Sequence, residues 1–197
     1  MNDTQTFTQW LSQTNDSLNI VLDIGANYGD FYELVKHKNI NQYHYFEPDI
    51  DNFKICFSNL NNYENTIKHN FGIYYGKTES KVQGIGDNNS GGYMVSEINK
   101  EYKDDIWGKR LVYYPEKVFS LKTLEEIIST PADLVKIDVE ASEYNIIEFS
   151  SILKVSDNLM IEWHNKDINF VYEFIKNHLP NHNIIDVKGT LTFLKLK

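Results

Sequence analysis

"VLDIGANYGD", residues 21–30, joins an apolar run to an acid, then sets two glycines four positions apart ahead of helix-spaced residues. Residues 19–25 predict a buried strand, and Phe31, Leu34 and Val35 within 28–38 predict the helix that follows it. A strand, a glycine turn and a helix in that order open a doubly wound α/β sheet, where ligands sit at the carboxyl ends of the strands. Gly25 and Gly29 permit a tight turn and a close approach of ligand to backbone. The helix start beyond them is electropositive.

The alternation continues outward from this unit. Residues 3–14 predict an amphipathic helix with Phe7, Trp10 and Leu11 on one face. Residues 42–49 predict a second strand stopped by Pro48, and 50–60 a helix with Ile50, Phe53 and Phe57 at helical intervals. Residues 65–73 predict a third strand. Residues 74–118 break the pattern with short β-like runs around a glycine-rich stretch, an expected small β insertion. A helix is then expected over 120–128, with Ser120 as N-cap and, since Thr123 stands three residues on, no capping box. Strands follow at 132–140 and 158–164, helices at 142–153 and 168–179, and two final strands around Lys188-Gly189-Thr190. The fold class is therefore α/β with a mostly parallel sheet. The last two strands are joined too tightly for a crossover, so the last strand is antiparallel. One domain is expected over 1–197.

Composition narrows the function. The chain has 197 residues, is 41% hydrophobic and carries a net charge of −9. That acidity argues against nucleic acid and anionic lipid as partners, both of which need clustered Lys and Arg. The single cysteine, Cys56, excludes an intramolecular disulfide and a Cys-rich zinc site. No apolar run reaches the roughly 18 residues of a membrane span, and MNDTQTFTQW has no signal pattern. A cytoplasmic protein is expected.

Two ligand classes use a strand–glycine–helix turn. A pyrophosphate-bearing dinucleotide needs G-x-G-x-x-G, and here the middle glycine is Asn27 and the spacing is wrong. S-adenosylmethionine has no phosphate but carries a cationic amino group and a sulfonium, which an acid such as Asp23 suits. Glu47, at the end of the second strand, is placed to accept hydrogen bonds from ribose hydroxyls. The alternatives are an NAD-dependent oxidoreductase and a non-catalytic or degenerate Rossmann-like binding module.

"VLDIGANYGDF", "YFEPD", "SLKTLEEI", "LVKIDVEASE" and "MIEWH", in this order over residues 19–165, resemble the FkbM-type family of S-adenosylmethionine-dependent methyltransferases. The resemblance implies a Rossmann-like seven-stranded sheet, helices on both faces, and O-methyl transfer to a hydroxyl of a sugar or glycan. It implies cofactor contacts from Asp23, Gly25, Ala26, Asn27 and Gly29, from Glu47 and Pro48 in the F-E-P block, and from Asn70, Phe71, Gly72 and Ile73 near adenine. Asp138, Glu140 and Glu143 fall in the D-V-E block, where Ala141 replaces the family's glycine. Domains of this family are often fused to glycosyltransferases, so such a module is an expected partner.

A sugar hydroxyl is a poor nucleophile near neutral pH, so a base or a metal must assist. Lys136, Asp138 and Glu140 share a face by period two, as do Glu162 and His164. His164 is the expected base, with Asp138 or Glu162 orienting it and Lys136 as an ion-pair partner. A divalent cation such as Mg2+ would take Asp138, Glu162 and His164. Asn88, Asn89, Ser90 and Tyr93 are candidates for bonding sugar hydroxyls, and Trp107, Tyr113 and Tyr114 for stacking on a sugar face.

Overall fold

The computed structural model describes residues 3–86, 112–164 and 167–197. Along the chain lie α1 (Asp3–Leu11), β1 (Ser17–Ile24), α2 (Asp30–Val35), β2 (Asn39–Phe46), α3 (Ile50–Leu60), β3 (Thr66–His69), β4 (Gly72–Ile73), β5 (Glu79–Gly86) and β6 (Val112–Lys122). A short 3-10 turn (Leu124–Glu126) leads to β7 (Leu134–Ile137), α4 (Glu143–Phe149), a second 3-10 turn (Leu153–Val155), β8 (Asn158–Glu162), α5 (Ile168–His178), β9 (His182–Lys188) and β10 (Leu191–Leu196).

Seven strands form the main sheet in the order β3-β2-β1-β7-β8-β10-β9. From β3 through β8 all neighbours are parallel. β10 alone is antiparallel to both its neighbours. The chain steps outward from β1 to β3, then returns to lay β7 on the other side of β1. The strand order thus reverses between β1 and β7, where a crevice opens in sheets of this kind.

Side chains of β1 alternate between two apolar layers. Val21 packs with Phe7 and Trp10 of α1, Phe31 and Tyr32 of α2, and Cys56 and Leu60 of α3. Leu22 and Ile24 pack on the other face with Ile146 and Ile147 of α4 and Val171 and Ile175 of α5. Helices therefore cover both faces. Among the described residues no helix is long and apolar enough to cross a membrane.

The structure corrects the sequence reading in four places. The expected third strand splits: His69 is the last residue to pair with β2, Asn70 turns aside to donate its amide to the Glu47 carbonyl at 2.9 Å, and β4 joins a second sheet of order β4-β6-β5. That small sheet is the insertion, and its strand β6 runs on to Lys122, because Ser120 pairs with Glu79 and Leu121 with Gly72. Ser120 is thus in a ladder, not capping a helix over 120–128. Thr123 is the cap of a 3-10 turn, and Glu126 completes a capping box by accepting from the Thr123 amide at 2.7 Å. Finally, Leu34, Ile50 and Phe57 face outward. α2 and α3 start at Gly29 and Asp49, and this phase turns Tyr32, Cys56 and Leu60 inward instead.

Candidate active site

A cavity opens at the β1/β7 reversal. Its walls come from the β1 turn (Ile24, Gly25, Asn27), the end of β2 (Phe46, Glu47, Pro48), the small sheet (Gly72, Ile73, Phe119, Leu121), Asn52 of α3, and the segment after β7 (Asp138, Val139, Glu140, Ser142). One side is an apolar slot, the other is lined by carboxylates.

The turn is built by close backbone contact. Gly25 and Ala26 both donate to the Phe46 carbonyl at 3.0 Å, and Gly25 has φ +82°. A Cβ on Gly25 would lie 1.8 Å from the Asp138 carbonyl oxygen, so this glycine is what lets the ends of β1 and β7 meet. Asn27 also takes a positive φ, +51°, and its amide donates to Glu47 Oε2 at 2.9 Å. Glu47 Oε1 accepts from the Asp49 amide at 2.9 Å. Burial pushes the Glu47 carboxyl up to about 7, against the pull of those two amides.

Beneath the turn lies an ion-pair cluster. Asp23 is fully buried, accepts the Tyr43 hydroxyl at 2.7 Å and stands 3.4 Å from Lys136 Nζ. Lys136 also lies 3.4 Å from Asp138 and donates to the Gly25 carbonyl at 2.5 Å. Burial alone would lower the Lys136 ammonium, but Asp23 and Asp138 more than offset it and hold it above its ordinary value. This placement corrects one expectation: Asp23 supports the turn from below and does not reach the cavity. Lys136 stands as ion-pair partner between Asp23 and Asp138. Ala26, Gly29, Asn70 and Phe71 also stand behind the wall. Ala26 is a core residue, Gly29 starts α2 against Cys56 and Leu60, Asn70 ties down the end of β2, and Phe71 packs on Phe46.

Past β7 the chain leaves strand geometry, with Glu140 at φ +51° and Ala141 at φ +77°. Glu140 therefore does not share the strand face with Lys136 and Asp138. It swings toward His164, whose Nε2 is 3.6 Å from Glu140 Oε2. The His164 amide donates to Glu143 Oε1 at 2.6 Å, the same oxygen lies 3.4 Å from Nδ1, and Tyr144 Oη donates to the His164 carbonyl at 3.0 Å. The start of α4 thus pins His164. Asp138, Glu140 and His164 are brought together. Glu162 is instead the next position in register with Asp138 and accepts from the Thr190 hydroxyl at 3.3 Å.

Burial would lower His164, but Glu143, Glu140 and Asp138 outweigh it and raise the imidazole to about 9. At pH 7 His164 is an imidazolium, which corrects its assignment as a neutral base. In the metal-free protein, NMR titration of the His164 ring is expected to give a midpoint near 9, lowered by Glu140→Gln. Because the folded value lies above the ordinary 6.5, this group's contribution to stability is complete below about 6.5 and is lost as pH rises through about 9. A midpoint at or below 6.5 would refute the ion pairing. Burial, then the neighbouring Asp138, raises Glu162. Burial also raises Glu140, with His164 pulling it down and Asp138, Glu162 and Glu143 pushing it up.

Ala141 occupies the left-handed region that favours glycine. That conformation costs an L-residue about 1–2 kcal/mol, and glycine gives back about 0.4–1 kcal/mol in the unfolded chain. Ala141→Gly is therefore expected to stabilise by about 0.5–1 kcal/mol, read as a melting point raised by about 2–3 °C. A lowered melting point would show that the Ala141 methyl is doing more in packing than its backbone costs.

Asn88, Asn89, Ser90, Tyr93 and Trp107 lie outside the described residues, as do the side chains of Tyr113 and Tyr114. The sequence reading missed Tyr43 under Asp23, and Phe119 and Leu121 from the insertion. Tyr43 was signalled only weakly, by its even spacing from Tyr45, which pairs with Asp23.

The family model of the methyltransferase FkbM domain matches residues 23–183. A methyltransferase FkbM from Methylobacillus flagellatus superposes with a TM-score of 0.58 at 16% identity, covering 91% of this chain and 44% of that one. The chain thus spans less than half the length of that relative. SMU.1697c from Streptococcus mutans, described as a methyltransferase and solved with S-adenosylhomocysteine, superposes at 0.58 with 12% identity, covering 100% of this chain and 99% of that one. A ribosomal protein L11 methylase from Lactobacillus delbrueckii gives 0.55 at 10% identity, covering 100% and 79%. These similarities show the shared fold. No curated protein matches the chain.

Proposed function

The chain belongs to the family of methyltransferase FkbM domains, and on that premise we propose that it transfers a methyl group from S-adenosylmethionine to a hydroxyl of a sugar or glycan. The carrying observation is the cavity at the β1/β7 reversal, with Glu47 on one side of the Gly25–Asn27 turn and Asp138 and Glu140 on the other.

The residues fit the cofactor by charge and shape. Acidic groups face a site for a cationic ligand, and the slot between Pro48, Ile73, Phe119 and Leu121 suits a flat purine. Glu47 would hold the ribose hydroxyls, and the backbone of Gly25 to Asn27 the methionine part. The cofactor supplies an electrophilic methyl whose bond to sulfur breaks with its electron pair leaving on sulfur. The chain must align the acceptor oxygen with that methyl, and orientation can supply about 7–11 kcal/mol of the barrier reduction. Glu162, held above the ordinary carboxylate value, is the base: it accepts the hydroxyl proton as the new carbon–oxygen bond forms. The imidazolium of His164 holds the acids beside it in place.

The choice of acceptor rests on charge. Asp138 and Glu140 line the cavity, and Glu162 beside Asp138 adds to their negative charge against the one cation of His164, which repels phosphates and suits neutral polyhydroxyl groups with acceptors for their O–H donors.

The test is calorimetric titration with S-adenosylhomocysteine, followed by a methyl-transfer screen over glycosides. Micromolar binding is expected at pH 8. Affinity should fall by up to about tenfold per pH unit below 7, because ribose binding needs the ionised Glu47 carboxylate. In Glu47→Gln, which leaves one backbone amide without an acceptor, binding should be at least about tenfold weaker and the pH slope lost. No binding would end the methyltransferase reading for this chain. Binding without turnover on any glycoside would overturn the sugar acceptor, and binding without turnover on any acceptor would move the chain to the non-catalytic alternative.

A further inference from the structure

We infer that Asp138, Glu140 and His164 bind one divalent first-row cation at the rim of the cavity. One ligand atom from each lies within 4.8 Å of the others. Two metal–ligand bonds of about 2.1 Å span at most ~4.2 Å, so a small rotation of the side chains closes the set. The Glu140 side chain is 41% exposed, which leaves it free to make that rotation.

A second observation points the same way. Glu143 is fully buried, with Oε1 directed at the His164 ring at 3.4 Å and Oε2 buried without a hydrogen-bond partner. A carboxylate behind one ring nitrogen, leaving the other to face a ligand, is the usual support of a metal-binding histidine. Here Nδ1 faces Glu143 and Nε2 faces Glu140. Asp138, Glu140, Glu143 and Glu162 gather negative charge around His164, just past β8; its ring gives up one proton when Nε2 takes the cation, and Lys136 is occupied beneath the turn.

The set is not the one expected from sequence. Glu140 takes the place of Glu162, because its positive φ carries it out of the strand and toward His164. The donor types are unchanged by the exchange. Two oxygens and one imidazole nitrogen lie between the all-oxygen preference of Mg2+ and Ca2+ and the nitrogen preference of Zn2+, so Mn2+ is the suitable probe. Three protein donors leave coordination positions open to water or to acceptor oxygens, and Glu162 stays unliganded as base. This inference does not depend on which acceptor is used, and its failure would leave cofactor binding untouched.

The experiment is Mn2+ titration of the full chain by electron paramagnetic resonance. One ion per chain is expected, with a dissociation constant below about 1 mM, weakened at least about tenfold by Glu140→Gln and by His164→Gln. Circular dichroism melts check that both variants fold. In the wild-type chain, Mn2+ should broaden the His164 ring signals at low occupancy and spare those of His37 on the surface, a readout that needs no variant. Absence of saturable binding, or of broadening at His164, would overturn the site. So would loss of binding in Glu162→Gln with none in Glu140→Gln.

Discussion

Lys136→Met is expected to destabilise the protein by about 3–5 kcal/mol, the cost of leaving one partner of a buried ion pair unmatched. The Asp23 side chain is wholly inaccessible and that of Lys136 is 11% exposed, so solvent cannot take over the lost interaction. At about 2–4 °C per kcal/mol for a chain of this size, the melting point should fall by about 10 °C. S-adenosylhomocysteine should bind more weakly too, because Lys136 also holds the Gly25 carbonyl. Asp23→Asn in the same chain removes the stranded charge and keeps an acceptor for Tyr43, so the double variant should recover a large part of the loss. A thermal-melt double-mutant cycle reads the coupling directly, and a value under about 0.5 kcal/mol would show that the two side chains act independently.

Gly25→Ala strikes the same seam from above. The added Cβ would stand 1.8 Å from the Asp138 carbonyl oxygen, a backbone atom that cannot rotate away. Overpacking costs about 1–3 kcal/mol, and the left-handed conformation at φ +82° adds about 1–2 kcal/mol. A melting point lower by about 8–12 °C is expected, with calorimetric S-adenosylhomocysteine affinity reduced beyond detection as β1 and β7 are forced apart. Near wild-type affinity would mean that the turn can open without disturbing the cavity.

How far the sequence could be read depends on how local each cause is. The strand, turn and helix around Gly25 were legible because glycine spacing and an apolar run are local signals, and Glu47 because a strand end can be found from the proline after it. The parallel sheet followed from alternation alone. The charge on His164 was not legible, since it depends on Glu143 at the start of another element and on Glu140, whose direction is set by two consecutive positive φ angles. Strand alternation predicted that Glu140 would lie with Lys136 and Asp138, but the regular strand stops at Ile137. The burial of Asp23 was hidden for a similar reason. An acid before a glycine reads as a ligand contact until a tyrosine from β2 and a lysine from β7 are known to share its face. Ser120 misled because it looks like a cap, while a ladder to Glu79 had already claimed its backbone.

The position of β10 decides how the outer edge of the sheet is held. β9 precedes β10 in the chain, yet among the described residues its only strand neighbour is β10, and β10 in turn pairs with β8. β9 therefore has no place in the sheet until its successor exists. The two fold back on each other around Gly189, whose φ of +56° makes the reversal, and hairpins of this kind close in about 1–10 μs. The tight turn at 188–190 thus carries the outer edge of the sheet: through it two strands, rather than one, are held on the edge left by β8.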